Sequence, residues 1–225
     1  LVGRTGSGTI FFTGCNFRCA FCQNFDISQD AYNGMEADPE TLAAIIKMLS
    51  KERCLNINLV GGEPTPNLHT ILSALALVDE NVPILWNSNM YMSEETMDLI
   101  SDIVDIWLPD FKYGNDKCAL RLSAIRNYFS IVTRNLRWAR EAGDMIIRHL
   151  VLPNHIDCCT KPVLKWISEN LPPTLVNIME QYRPEYRVAR LPERYPDVAR
   201  RPSFGEMEEA YSYASKLGIP YSPVS

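Results

Sequence analysis

Six short apolar runs alternate along this chain with longer stretches of helical periodicity, and that alternation constrains the fold more than any other feature. The runs predict strands over residues 9–13, 55–60, 83–86, 104–108, 145–152 and 174–179. Helical patterns fill 40–53, 66–78, 94–103, 116–142 with a break near Asn127, 162–170 and 205–217. Asp38 followed by Pro39, and Ser93 ahead of the third helix, are helix-start signals. A near-continuous apolar strand is buried on both faces, and parallel neighbours need a helix to cross over. The expectation is an α/β fold of one domain over 1–225, a parallel sheet with outer helices, either doubly wound or a partial (β/α)6 barrel.

Composition removes other classes. With 225 residues the chain is long enough for a sizeable core. A net charge of −5 and the absence of a run of five like charges argue against a dedicated nucleic-acid binder or a polybasic membrane anchor. No apolar stretch reaches the roughly 18 residues that span a bilayer, and the first residues have no signal-peptide core. The expected location is the cytoplasm, with no nucleic acid and no membrane among the partners. Because the sequence starts at Leu1, some N-terminal residues are expected to be missing.

In parallel α/β folds ligands gather where the strands end, in the βα loops. Directly after the first strand stands Gly14-Cys15-Asn16-Phe17-Arg18-Cys19-Ala20-Phe21-Cys22, a C-x3-C-x2-C triplet. Seven cysteines, three of them within eight positions, suit a metal site better than a secreted disulfide framework. Three thiolates on one loop can hold three corners of an iron–sulfur cubane, and no fourth cysteine follows nearby. The missing ligand leaves one iron open, as a catalytic metal site requires. The competing assignment is a structural zinc knot completed by Cys54 or a histidine.

Later strand ends carry polar groups as well: Gly61-Gly62-Glu63-Pro64, Asn87-Ser88-Asn89 and Asp110-Phe111-Lys112. Arg148 is a lone charge inside the apolar fifth strand, two positions before Leu150. The cysteine triplet with Phe21 ahead of its last member resembles the signature of the radical S-adenosylmethionine (SAM) enzymes. Gly61 to Pro64 resembles that family's GGEP motif, and Asp110 with Lys112 the D-x-K element of its glycyl-radical-enzyme activating enzymes. Residues 6–12, 22–28 and 177–184 resemble the group called pyruvate formate-lyase activating enzyme-like. Established activating enzymes differ at Asn87, where they carry Asp, and in the Cys-Gln-Asn wording at Cys22.

The resemblance implies a partial (β/α)6 barrel with a [4Fe–4S] cluster on Cys15, Cys19 and Cys22, which serve as metal ligands and catalytic residues. SAM chelates the open iron, and its one-electron cleavage yields a 5′-deoxyadenosyl radical for hydrogen-atom abstraction. Cofactor contacts are implied for Gly61, Gly62, Asn87, Ser88, Asn89, Asp110, Lys112 and Arg148. Glu63 is assigned to the SAM ammonium, and Phe21 and Leu150 to the adenine. Partners would be an unidentified protein or small-molecule substrate, with glycyl-radical activation as one outcome, and a reductant such as flavodoxin or ferredoxin. A non-catalytic iron–sulfur or zinc-binding interaction protein is the alternative of another class.

Of the remaining cysteines, Cys54 and Cys118 read as small buried residues. Cys158 and Cys159 are candidates for an auxiliary cluster or an acceptor thiol, against which stands the difficulty of turning adjacent sulfurs to one metal. His69, His149 and His155 have no i, i+4 pairing and read as core or surface residues. The basic and aromatic stretch 182–190, followed by Arg194, Arg200 and Arg201, reads as an irregular loop, with partner docking as its functional alternative.

Overall fold

The computed structural model describes residues 1 and 3–222. Its frame is a seven-stranded parallel sheet: β1 (Gly8–Phe12), β2 (Ile57–Gly61), β3 (Ile84–Ser88), β4 (Ile106–Pro109), β5 (Asp144–Leu150), β6 (Leu175–Met179) and β7 (Tyr221–Ser222). Spatial order follows chain order throughout, and β1 and β7 form the two edges. The six expected strands are present, and the two-residue β7, beside β6, was not expected.

Crossovers are made by α2 (Pro39–Lys51) between β1 and β2, α3 (Leu68–Leu75) between β2 and β3, and α4 (Glu94–Ile100) between β3 and β4. Two helices, α5 (Asp116–Ser123) and α6 (Tyr128–Ala142), link β4 to β5, and α7 (Lys161–Asn170) links β5 to β6. A short α1 (Phe25–Ser28) follows the cysteine loop, and α8 (Tyr186–Arg190) and α9 (Phe204–Lys216) precede β7.

Local chemistry explains the helix ends. Asp38 accepts from Thr41 N at 2.8 Å with Pro39 in the first turn, and Ser93 accepts from Thr96 N. Ser203 and Glu206 form a reciprocal capping box for α9. The break expected near Asn127 falls between α5 and α6, where Ala124 and Asn127 both take left-handed conformations.

All five residues of β3 are buried, as a central parallel strand requires. Trp86 on β3 and Trp107 on β4 fill the sheet, and Ile46, Ile71, Leu136 and Leu164 press down from the helices. β4 and β5 pair at their starts, through Ile106 with Asp144 and Trp107 with Met145, and meet again where Asp110 lies beside Arg148. That second meeting is made by Phe111 N donating to Arg148 O at 2.9 Å, and it sets two charged side chains together at the strand ends.

Candidate active site

Every residue assigned above to the cluster or to SAM lines one cavity of about 360 Å³ at the carboxyl ends of the strands. Cys15, Cys19, Phe21 and Cys22 form one wall. Gly61 to Glu63 and Asn87 to Asn89 form a second, and Asp110, Lys112, Arg148 and Leu150 a third.

The cysteine loop is held by backbone rather than by a helix or strand of its own. Arg18 N and Ala20 N donate to Ser123 O and Leu122 O, at 3.0 and 2.7 Å, at the end of α5, and Val188 N donates to Ala20 O at 3.0 Å from α8. The three sulfurs are free thiols, each with a different neighbour. Cys15 Sγ accepts from Phe17 N at 3.3 Å, Cys19 Sγ is approached by Ser123 Oγ at 3.0 Å, and Cys22 Sγ lies 3.3 Å from Ser28 Oγ. Burial raises the Cys15 thiol well above its usual range, and Cys19 is pushed up to about 11, first by burial. Such thiols stay protonated until a cation arrives. Three convergent thiols facing a cavity, without a fourth cysteine on its walls, fit a cluster that keeps one iron for a ligand.

Gly62 is required by close approach. A Cβ there would stand 2.1 Å from Gly14 O, so the β2 loop and the cysteine loop touch through backbone. Glu63, assigned above to the SAM ammonium, lines the cavity and also braces two loops. Its carboxylate is 2% exposed and accepts from Thr65 Oγ1 at 2.6 Å, Ser88 Oγ at 2.7 Å and Asn89 N at 2.9 Å, bracketing the β2 and β3 loops. Burial raises this carboxyl despite those donors. Asn89 carries the bracket on to the cysteine loop, since its Nδ2 donates to Asn16 Oδ1 at 2.7 Å.

On the third wall Asp110 is shared by Lys112 and Arg148, whose Nε and guanidinium nitrogen reach it at 2.7 and 2.6 Å. Burial alone would raise the Asp110 carboxyl, but the Arg148 and Lys112 charges outweigh it and hold it low. Two cations against one carboxylate leave this wall a net positive charge, suited to a carboxylate on the ligand.

Phe21 is buried edge-on against Tyr182 with centroids 5.5 Å apart. The stretch 182–190, expected as an irregular loop, instead contains α8. Tyr186 stacks on Phe25 at 5.0 Å and Arg190 lies over both rings, so tertiary contacts with the cysteine loop impose a helix that local periodicity does not announce. Asn58, Gln23, Asn24, Met179 and Gln181 also line the cavity and were not singled out from sequence. Asn58 was signalled by its place in an apolar strand, and its Oδ1 is buried without a partner. His149 is a core residue, its ring donating to Phe111 O at 2.8 Å and accepting from Thr160 Oγ1 at 3.0 Å. Cys118, read above as a small buried residue, is buried but stands with His155, Cys158 and Cys159, while Cys54 is half-buried.

Comparisons with known proteins agree with this geometry. The chain is 46% identical over 219 residues to protein MJ0674 of Methanocaldococcus jannaschii, covering 95% of this chain and 63% of that protein. Among solved structures, SuiB of Streptococcus suis bound to S-adenosylmethionine superposes with a TM-score of 0.68 at 11% identity, over 96% of this chain and 50% of SuiB. A domain of pyruvate-formate lyase-activating enzyme from Bacteroides vulgatus gives 0.58 at 13% identity, over 76% of this chain and 99% of that domain. Both likenesses establish the shared partial-barrel fold. The description "Radical SAM superfamily" matches residues 9–167, the stretch that runs from β1 and the cysteine loop into α7, and the chain therefore belongs to that superfamily of enzymes, whose cofactors are a [4Fe–4S] cluster and S-adenosylmethionine.

Proposed function

We propose that Cys15, Cys19 and Cys22 hold the cluster, and that SAM lies across the cavity toward Asp110, Lys112 and Arg148. The observation that carries this is the meeting of three thiols and a net positive Asp110–Lys112–Arg148 triad around one cavity. When bound, the cluster and SAM together supply one-electron cleavage of SAM and a carbon radical able to take a hydrogen atom from substrate. The protein's own residues do the rest. Lys112 and Arg148 neutralise the methionine carboxylate, and Asp110 keeps both cations in place. The Gly61 and Gly62 backbone and the Asn87 to Asn89 side chains offer polar contacts to the amino and ribose groups, while the Glu63 carboxylate fixes the two loops that carry them. Phe21 and Leu150 give the adenine apolar walls and keep water from the reacting centre.

The substrate proposed is a protein or peptide segment, a glycyl-radical partner being the specific case. SuiB, which shares this fold, is known bound to its precursor peptide, and the activating-enzyme domain shares the fold too. A flavodoxin or ferredoxin would supply the electron.

Anaerobic reconstitution with SAM and dithionite tests the chemistry. The expected result is about four irons per chain at the cysteine loop and 5′-deoxyadenosine formed by the parent protein, with none from Cys19→Ala. Cleavage that persists in Cys19→Ala would remove the cysteine loop from the mechanism.

A further inference from the structure

Outside the cavity, the fold gathers a second group of sulfurs. Cys118 in the first turn of α5, and His155, Cys158 and Cys159 after β5, place four donor atoms within 4.8 Å of one another. Cys118 Sγ and Cys159 Sγ each lie 3.9 Å from Cys158 Sγ, and the His155 Nδ1 stands 3.2, 3.7 and 3.8 Å from the sulfurs of Cys158, Cys118 and Cys159. We propose that Cys118, His155, Cys158 and Cys159 form a closed tetrahedral zinc site that fixes the β4–α5 loop.

The distances identify the kind of metal. For Zn–S bonds near 2.3 Å and a Zn–N bond near 2.05 Å, a regular tetrahedron has edges of about 3.8 Å between sulfurs and about 3.6 Å between sulfur and nitrogen. The observed separations are those of one coordination sphere. A cubane sets each thiolate on a different iron and so needs a wider spread. Three soft thiolates with one imidazole select zinc among the common ions, and four protein ligands close the sphere as structural sites do.

The surroundings prepare the donors. Asp197 accepts from His155 Nε2 at 2.8 Å and is itself clamped by Arg121, which fixes the ring tautomer and leaves the Nδ1 lone pair facing the sulfurs. That single lone pair can accept from one thiol only, and the remaining thiols are left with weak sulfur-to-sulfur contacts at 3.9 Å, whereas one cation draws all four groups together. Asn115 Nδ2 donates toward Cys118 Sγ at 3.3 Å, the polarity a thiolate needs. Adjacent Cys158 and Cys159 reach the same point because Ile156–Thr160 is a π turn, in which both Cys159 N and Thr160 N donate to His155 O.

The staple has a mechanical role. Gly114 packs so closely on the π turn that a Cβ there would stand 2.8 Å from both Cys158 O and Cys159 O. Asn115 Nδ2 also donates to Cys158 O at 2.7 Å. The segment held in this way begins at Asp110 and Lys112. A metal here would therefore fix the wall that faces the SAM carboxylate without touching the cavity.

Zinc content and Co²⁺ spectroscopy test the proposal independently of SAM cleavage. A Cys15→Ala, Cys19→Ala, Cys22→Ala variant, unable to load iron at the first loop, is expected to purify with about one zinc per chain. The same protein with Cys118→Ser or Cys158→Ser added is expected to lose it. After zinc removal, titration of the three-alanine protein with Co²⁺ alone should give tetrahedral d–d bands with sulfur-to-cobalt charge transfer. X-ray absorption of the zinc form should show three sulfurs and one nitrogen. Background zinc in the three-alanine protein, an octahedral cobalt spectrum, or a Cys118–Cys158 disulfide in protein isolated under reductant would overturn it. The cobalt titration needs no added change at the second site, so misfolding of the serine variants would not protect the proposal.

Discussion

The molecule holds two groups of three cysteines, and they differ in how their sulfurs are arranged. Cys15, Cys19 and Cys22 stand apart around a cavity, each against its own hydrogen-bonding neighbour, and burial raises Cys15 and Cys19. Cys118, Cys158 and Cys159 converge on one imidazole, and hydrogen bonding from Cys159 first, with the His155 ring assisting, holds Cys118 and Cys158 below the ordinary thiol value. The first arrangement leaves space for a multi-atom cofactor and its ligand. The second has room for a single ion. Spacing along the chain reveals the first kind of site, whereas the second exists only after some forty residues of α5, α6 and β5 have folded back.

His149 joins the two regions, since its ring bridges Phe111 O, between Asp110 and Lys112 on the cavity wall, and Thr160 Oγ1 in the π turn. Burial depresses its pKa from 6.5 to about 4, so the unfolded chain binds more protons between those values. Stability from this neutral ring is fully present above pH 6.5 and is lost as pH falls toward 4, by about 3 kcal/mol in all. Thermal melts across that window should show the loss, and His149→Asn should flatten the slope. An unchanged slope would mean that groups other than this ring carry the pH dependence.

Gly62→Ala tests the first region alone. The new methyl must push Gly14 away, costing about 1–3 kcal/mol and lowering the Tm by about 2–12 °C, while zinc content stays at the parental level. Displaced zinc would break the separation between the sites. The smallest effect is expected in the second region: Asn115→Ala removes the α5 cap and the Cys158 O contact at a cost of about 1 kcal/mol. Zinc should then leave faster to a chelator, read by a chromogenic dye, with iron content unaltered.

Much of this was legible before folding. Buried parallel strands write themselves as apolar runs, and loops at strand ends announce polar groups, so Asp110, Lys112 and Arg148 were singled out together, and the fold brings them into contact although 38 residues separate the first from the last. What stayed hidden depends on contacts that no local pattern encodes. The Glu63 carboxylate holds two loops because Ser88 and Asn89 arrive beside it on the next strand. α8 forms where Phe25 and Ala20 receive it, on a stretch with little helical periodicity. Cys158 and Cys159 were candidate ligands held back by their adjacency, and His155 read as a core or surface residue; only the π turn aims both sulfurs at one point beside that ring, and only α5 delivers Cys118.

The backbone bonds that hold the cysteine loop also impose an order in time. The loop follows β1, early in this sequence, yet its partners are Leu122, Ser123 and Val188. Its final shape must therefore wait until most of this sequence has been translated. Iron delivered earlier would meet three cysteines on an unframed segment, and a cluster bound there would gain its frame only once Val188 has emerged.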